Sequence, residues 1–329
     1  MRLLVFNCHE AWVYQLGVLD YALDIIVGLE GHHVEGWDAR MRPLPAGART
    51  LTLAEALSAT DGYDCIVCHN LTDLLDCKGL AGPRLLVMHS TLEGRKQSEG
   101  AQVPLDQLRA TIRKYLDLVG GHAVAISDMK RGPDGFPADV VRAGVDVDDY
   151  SEHTGTTAAG LRVANQISLK RDVLMWEFHA EALDGLPVTL VGHNPDMPGV
   201  EPARSWDDLK RLLSEHRFFI HTADPRYEDG YNMASLEAMA AGLPVIGNRH
   251  PTSPIEHGVS GFLADDPAGL RRHAQRLLDD PALARDLGAA AREAVARDFP
   301  LTRFGAGMTQ AITRAQATWR EAQARRAGA

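Results

Sequence analysis

Residues 224–264 read DPRYEDGYNMASLEAMAAGLPVIGNRHPTSPIEHGVSGFLA. The acidic pair Glu228-Asp229 precedes Gly230 and a short amphipathic run that holds one further carboxylate, Glu237. Gly242 and Pro244 end that run, and Val245 opens an apolar stretch of strand character. The pattern is a loop, a helix and a strand. A carboxylate in the helix-entry loop and another one or two turns later can face one crevice. That crevice lies beside a helix N-terminus, where exposed N–H groups and the macrodipole favour phosphate. Carboxylates accept hydrogen bonds from hydroxyls. The combination suits a polyhydroxylated ligand that also carries phosphate, and a sugar nucleotide meets that description.

Around this stretch the chain alternates strand and helix. In the first half, Arg2–Cys8, His33–Asp38, Tyr63–Cys68, Leu85–His89, Ala123–Ser127 and Val140–Arg142 read as strands. Leu19–Leu29, Leu53–Leu57 and Leu105–Val119 have apolar residues at helical spacing. Ser151–Gly160, small, polar and Gly-containing, reads as a linker. A second series follows, with strands from Val163, at Val188–Val191, at Phe218–His221 and at Val245–Gly247. Its helices are Asp172–Leu183, Trp206–Leu213, the motif helix, Ala268–Leu278 and Pro281–Ala296, and a long polar-rich helix starts at Thr302. Alternation of this kind means parallel, doubly wound sheets. The expectation is an α/β chain of two Rossmann-like domains facing across a cleft: 1–150, 151–301, and a C-terminal helix, 302–329, crossing back to the first domain. Ligands bind such sheets at the C-terminal ends of their strands.

Composition excludes several classes. A length of 329 residues accommodates two domains, and 45% apolar with 24% charged residues is ordinary for a globular protein. No run of eighteen apolar residues exists, and MRLLVFNCHE reads as a first buried strand with none of the marks of a signal peptide. A formal net charge of −10 argues against a general nucleic-acid binder. Cys8, Cys65, Cys68 and Cys77 fall in the first eighty residues and read as buried thiols of a reducing, cytoplasmic protein, with no second pair to complete a metal site. Arg109, Arg113 and Lys114 on one helix read as a solvated face; contact with a membrane surface is the less favoured reading.

The motif also resembles a family signature: two acids separated by seven residues, then Ala-Met-Ala, a small residue, Gly and Pro. Asp229, Glu237 and Ala238-Met239-Ala240-Ala241-Gly242-Leu243-Pro244 follow it, and Glu256–Leu263 resembles the same family's closing turn and strand. The family is that of the retaining GT-B glycosyltransferases of group 1, similar to family 4. Its first acid is usually Glu; here Asp229 stands there, preceded by Glu228. The resemblance implies that Glu237 binds ribose hydroxyls and that Asp229, or Glu228 in its place, meets the donor sugar. Gly230, Tyr231, Asn232 and Met233 form the start of the helix. Lys170 matches the family's phosphate-binding lysine, with Arg171 beside it. The Arg that usually precedes is replaced by Asn165, and the Gly-Gly turn expected near Arg249–Pro254 is missing. His89, after a strand, matches a histidine that contacts the donor sugar near the reacting carbon. His9, Glu10 and His69 are acceptor-side candidates. No cofactor and no metal are expected; the donor would be a UDP-, GDP- or ADP-sugar and the acceptor a glycan, lipid or small molecule. A two-domain sugar-nucleotide epimerase, a phosphorylase, and a non-catalytic sugar-nucleotide-binding relative remain alternatives.

Overall fold

The computed structural model describes residues 1–30, 36–99, 104–132 and 135–328. The chain divides into two compact units. The first comprises Met1–Leu92, Ala101–Gly144 and Leu301–Ala329; the second comprises Glu93–Gly100 and Val145–Pro300.

In the first unit the strands are β1 (Arg2–Phe6), β2 (Ala22–Ile26), β3 (Ala48–Leu51), β4 (Cys65–Cys68), β5 (Arg84–Met88), β6 (His122–Ala125) and β7 (Asp139–Val140). They form one sheet in the order β3-β2-β1-β4-β5-β6-β7, parallel throughout. The helices that concern us are α1 (Glu10–Tyr14), α2 (Leu53–Ser58), α3 (Leu71–Asp76), α4 (Leu92–Glu99) and α5 (Leu105–Val119); α4 falls almost wholly in the second unit. A parallel sheet is covered on both faces, so its strands are apolar on both sides. Along β1, Leu3 and Val5 pack into one cluster with Trp12 of α1 and with Phe304, Met308 and Ile312 of the final helix, Leu301–Ala327. Leu4 and Phe6 point the other way, toward Leu74, Ile112 and Leu116. Cys65 and Cys68 divide between the two clusters in the same way, and both are fully buried.

The buried carboxylate of Asp24 on β2 accepts from Arg2 at 2.6 Å, from Arg49 at 2.7 Å and from the Tyr63 hydroxyl at 3.1 Å. These partners hold its carboxyl below the usual range although burial alone would raise it. One acid thus ties β1, β2 and β3 in register.

The second unit has β8 (Thr157–Val163), β9 (Val188–Val191), β10 (His216–Ile220), β11 (Val245–Asn248) and β12 (Gly261–Ala264), also parallel, in the order β12-β11-β10-β8-β9. Its helices are α6 (Trp176–Leu183), α7 (Trp206–Glu215), α8 (Met233–Ala240), α9 (Pro267–Asp279) and α10 (Pro281–Asp298); the final helix, Leu301–Ala327, is α11. Phe218, Ile220, Ile246 and Phe262 form its core with Leu270, Ala274 and Leu277 of α9 and Leu183 of α6.

Three local expectations are corrected. The helix expected over Leu19–Leu29 is strand β2. Asp20 adopts a left-handed φ of 53°, which interrupts a helix there, and the β-branched Ile25-Ile26 pair suits a pleated strand. The stretch Ser151–Gly160 is not all linker, because β8 begins at Thr157 and ends at Val163, where the strand was expected to start. Asp172–Leu183 becomes helical only at Trp176, after Met175 at φ 47°. The strand expected at His33–Asp38 lies largely outside the described residues.

Candidate functional site

In each sheet the order of strands reverses at one point, and the loops leaving the strand ends diverge there to leave a crevice. In the second unit the reversal lies between β8 and β10. Residues 164–175 leave β8 and residues 221–232 leave β10, so Lys170 and the Glu228–Asn232 loop come to one sheet edge.

The acidic loop is built by backbone bonds. The amides of Tyr227 and Glu228 donate to the Asp224 carbonyl at 3.0 Å, and the Asp224 amide donates to the Val173 carbonyl at 2.9 Å. The β11 end braces it. His250 Nε2 donates to the Glu228 carbonyl at 3.0 Å, and the Gly230 amide donates to Thr252 Oγ1 at 2.8 Å. His221 Nε2 lies 3.3 Å from the Asp229 carbonyl, and burial lowers that imidazole's pKa to about 4. Asn248 ends β11 by accepting from the Ala223 amide at 2.9 Å and donating back to its carbonyl at 2.9 Å. Gly230 tolerates no side chain: a Cβ there would stand 2.8 Å from the His250 ring and 2.8 Å from Ser253 N.

α8 starts at Asn232. Its side chain accepts from the Ser235 amide at 2.8 Å, and Ser235 Oγ accepts from the Asn232 amide at 2.8 Å. Asp229 is 3% exposed and Glu237 4% exposed, so both carboxylates are withdrawn from bulk solvent, Asp229 ahead of the helix N-terminus and Glu237 within the helix. Glu228 is half-buried, and its side chain accepts from the Asp229 amide at 2.9 Å. The Tyr231 ring packs edge-on against Phe299 with centroids 5.1 Å apart. Met233 opens α8 and is half-buried.

Lys170 is half-buried, its amide bonded to the Gln166 and Ile167 carbonyls at 3.1 Å. Desolvation lowers its pKa, and the Glu228 carboxylate opposes that shift. Arg171 is exposed, and its guanidinium forks onto Glu177 at 2.5 and 2.9 Å. The structure therefore brings Lys170, Glu228, Asp229, Gly230, Asn232 and Glu237 to one edge and commits Arg171 to a neighbouring acid. The brace formed by His221, Asn248, His250 and Thr252 carried little sequence signal. An Asn ending an apolar strand was the only mark of Asn248.

In the first unit the reversal falls between β1 and β4. Cys8-His9-Glu10 leaves β1, His69 leaves β4 and His89 leaves β5. His9 caps α1, its Nδ1 accepting from the Trp12 amide at 3.2 Å. Glu10 Oε1 accepts from the Asp38 amide at 3.1 Å and so holds a neighbouring loop. His69 Nδ1 lies 2.8 Å from His89 Nε2. The edge of Trp12 meets both rings, with centroids 4.8 Å from His69 and 5.1 Å from His89. Burial lowers the His69 pKa to about 3, and burial, His69, His9 and Lys130 together hold His89 well below the usual histidine value. Both imidazoles are neutral at physiological pH. Cys8 Sγ joins this pair: among the described residues, one ligand atom each of Cys8, His69 and His89 lie within 4.8 Å of one another.

On α5, Arg109 is buried and bonded to Asp106 at 3.3 Å, and Arg113 stacks over Phe136 at 4.8 Å. The expected all-solvated basic face is thus partly packed. No helix among the described residues is long and apolar enough to cross a membrane.

Residues 184–280 match the family model described as glycosyl transferases group 1. Over 96 residues the chain is 38% identical to an N-acetyl-alpha-D-glucosaminyl L-malate synthase of Bacillus anthracis, covering 28% of this chain and 22% of that one. Over 75 residues it is 39% identical to a D-inositol 3-phosphate glycosyltransferase of Streptomyces avermitilis, covering 21% and 16%. The matched segments thus span about a fifth of these relatives' lengths. Among solved structures, the sucrose-phosphate synthase of Thermosynechococcus elongatus superposes with a TM-score of 0.67 at 16% identity, over 94% of this chain and 98% of that one. HepE of Anabaena, solved with UDP and glucose, superposes with a TM-score of 0.67 at 13% identity, over 95% and 99%. The fold is the two-unit α/β architecture of the GT-B class.

Proposed function

We propose that this chain is a retaining glycosyltransferase that moves a hexosyl unit from a nucleotide diphosphate sugar to an acceptor hydroxyl. The observation that carries the reading is the pair of buried carboxylates, Asp229 and Glu237, at the start and along the length of α8, within the segment matched to group 1 glycosyl transferases. In this reading Glu237 accepts hydrogen bonds from ribose hydroxyls. Asp229 accepts from hydroxyls of the sugar, with Glu228 beside it. Lys170 and the N-terminus of α8 stabilise negative charge on the diphosphate as it departs. Because burial lowers the Lys170 pKa, the lysine gains more from meeting a phosphate than a fully hydrated one would. In the first unit, His69 orients the neutral imidazole of His89 through the 2.8 Å contact at the strand ends. With retention, the acceptor attacks on the leaving-group side and a donor phosphate oxygen takes its proton. Catalysis then rests on positioning and on leaving-group stabilisation.

Relatives with UDP or UDP-glucose bound support a nucleotide sugar as the donor class. The acceptor in this reading is a hydroxyl compound. UDP, GDP and ADP, each at millimolar concentration, provide the test. A nucleotide bound by the folded state alone raises the melting temperature by linkage. One of the three should do so, and no shift with any of them or their sugars overturns the assignment. Transfer should also persist in excess EDTA, because a protein cation and backbone dipoles meet the diphosphate charge; complete, magnesium-reversible loss would refute that account.

A further inference from the structure

The strand-order reversal of the first unit holds a group of ligand atoms for which the transferase reading has no full use. Cys8 Sγ and one ring nitrogen each of His69 and His89 converge within 4.8 Å from the ends of three adjacent strands. His69 is only 7% exposed, and its Nε2 makes no well-formed hydrogen bond among the described residues, although the Phe6 backbone lies close enough to favour the ring's charged form. A buried polar nitrogen in that state carries a desolvation cost that a ligand would remove. The surroundings already fix the ligands. Trp12 packs edge-on against both imidazoles, and the His69 amide donates to the Asp73 carboxylate at 2.7 Å. Such outer support orients metal ligands in advance.

We propose that Cys8, His69 and His89 form a binding site for a divalent transition ion of borderline softness, Zn2+ above all, with one coordination position left open. One thiolate with two imidazoles is a donor set that zinc accepts, and a three-ligand site leaves a fourth position for water or another molecule. The set offers no oxygen, which disfavours Mg2+ and Ca2+. Zinc–ligand bonds of about 2.0–2.3 Å place ligand atoms roughly 3.3–3.8 Å apart around a tetrahedral centre. The three ligand atoms, now within 4.8 Å of one another, reach that spacing by drawing together around the ion. On binding, the Cys8 S–H bond breaks, its proton passes to the buffer, and the sulfur electron pair forms the bond to the metal. This inference concerns the first unit alone and stands whether or not the second unit takes a nucleotide.

Cobalt(II) titrated into the full-length, reduced chain is the test. The expected result is saturation at one equivalent with a thiolate-to-cobalt charge-transfer band, displaced by one equivalent of Zn2+. Cys8→Ser should abolish the band while the circular dichroism spectrum stays native. His69→Gln should weaken binding by more than the roughly 10–100-fold that outer-shell changes cost. Absence of one-to-one saturation, or a band that survives Cys8→Ser, overturns the proposal. If Cys8→Ser does not fold, alkylation of the native protein decides: Zn2+ must protect Cys8 from iodoacetamide, mapped by mass spectrometry, and an unprotected Cys8 overturns the proposal.

Discussion

Gly230→Ala probes the bracing of the acidic loop with one added methyl group. The new Cβ would lie 2.8 Å from His250 Cγ, 2.8 Å from His250 Nδ1 and 2.8 Å from Ser253 N. Neither neighbour yields easily. Ser253 N is backbone, and the His250 ring is held at both nitrogens, by the Glu228 carbonyl at 3.0 Å and the Thr252 amide at 3.1 Å. Overpacking of this kind costs about 1–3 kcal/mol. For a unit of this size each kcal/mol lowers the melting temperature by roughly 2–4 °C, so the second unit should melt about 2–12 °C lower. Relief of the clash moves His250, and with it the Glu228 carbonyl and the acids beside it. Affinity for whichever nucleotide stabilises the wild type should therefore fall as well. Gly62→Ala is the matched control, because nothing stands within 4 Å of a Cβ at Gly62; its cost should be within about 0.5 kcal/mol. Differential scanning calorimetry and nucleotide titration measure both quantities. A Gly230→Ala protein that melts and binds nucleotide like the wild type would refute the packing argument.

Glu237→Gln should weaken nucleotide binding by about 1.5–3 kcal/mol, on the order of tenfold to a hundredfold, with little change in melting temperature. Asp229→Asn should instead chiefly lower turnover; unchanged affinity in a destabilised Glu237→Gln protein would make Glu237 structural. Stability should also fall on acidification. Burial keeps His221 neutral down to about pH 4 and His179 to about 3 in the folded chain, whereas unfolded histidines protonate below about 6.5. Between those limits the unfolded state binds more protons, so each group removes up to about 1.4 kcal/mol per pH unit as the pH drops. Melting temperatures from pH 7 to 4.5 should decline, and His179→Gln should flatten the decline; an unaltered slope in that variant excludes His179 as a cause.

Much of the architecture was legible because parallel strands leave plain marks. Cys65-Ile66-Val67-Cys68 is apolar at every position, as a strand covered on both faces must be. The α8 segment announced itself through the spacing of Asp229 and Glu237 and the Gly242 stop at φ 73°. Ala22–Ile26 misled because Leu19, Ala22, Leu23 and Ile26 also fit a helical period; the left-handed turn at Asp20 and the partners of Asp24 decided for a strand. That Lys170 and the acidic loop lie at neighbouring strand ends was legible from their place in the strand–helix alternation. The site was illegible where a side chain serves by reaching across the sheet. His250 and Thr252 brace a loop some twenty residues earlier in the chain, and no local pattern encodes that reach. Arg171 forks onto Glu177, six residues on, a pairing that the sequence did not signal.

The placement of α11 bears on how the chain is made. Phe304, Met308 and Ile312 fill the core over β1, yet they emerge from the ribosome after the whole of Val145–Pro300. At about 5–20 residues per second, that interval lasts on the order of ten to thirty seconds. Throughout it, one face of the first sheet, Leu3 and Val5 included, stands without its cover, while the inserted segment has a core of its own and can close. The earliest strands synthesised are therefore among the last to be sealed. Chaperone demand during translation should track this delay, and a premature stop before residue 304 should send the nascent chain to proteolysis even though every residue of the Glu228–Asn232 loop has already been made.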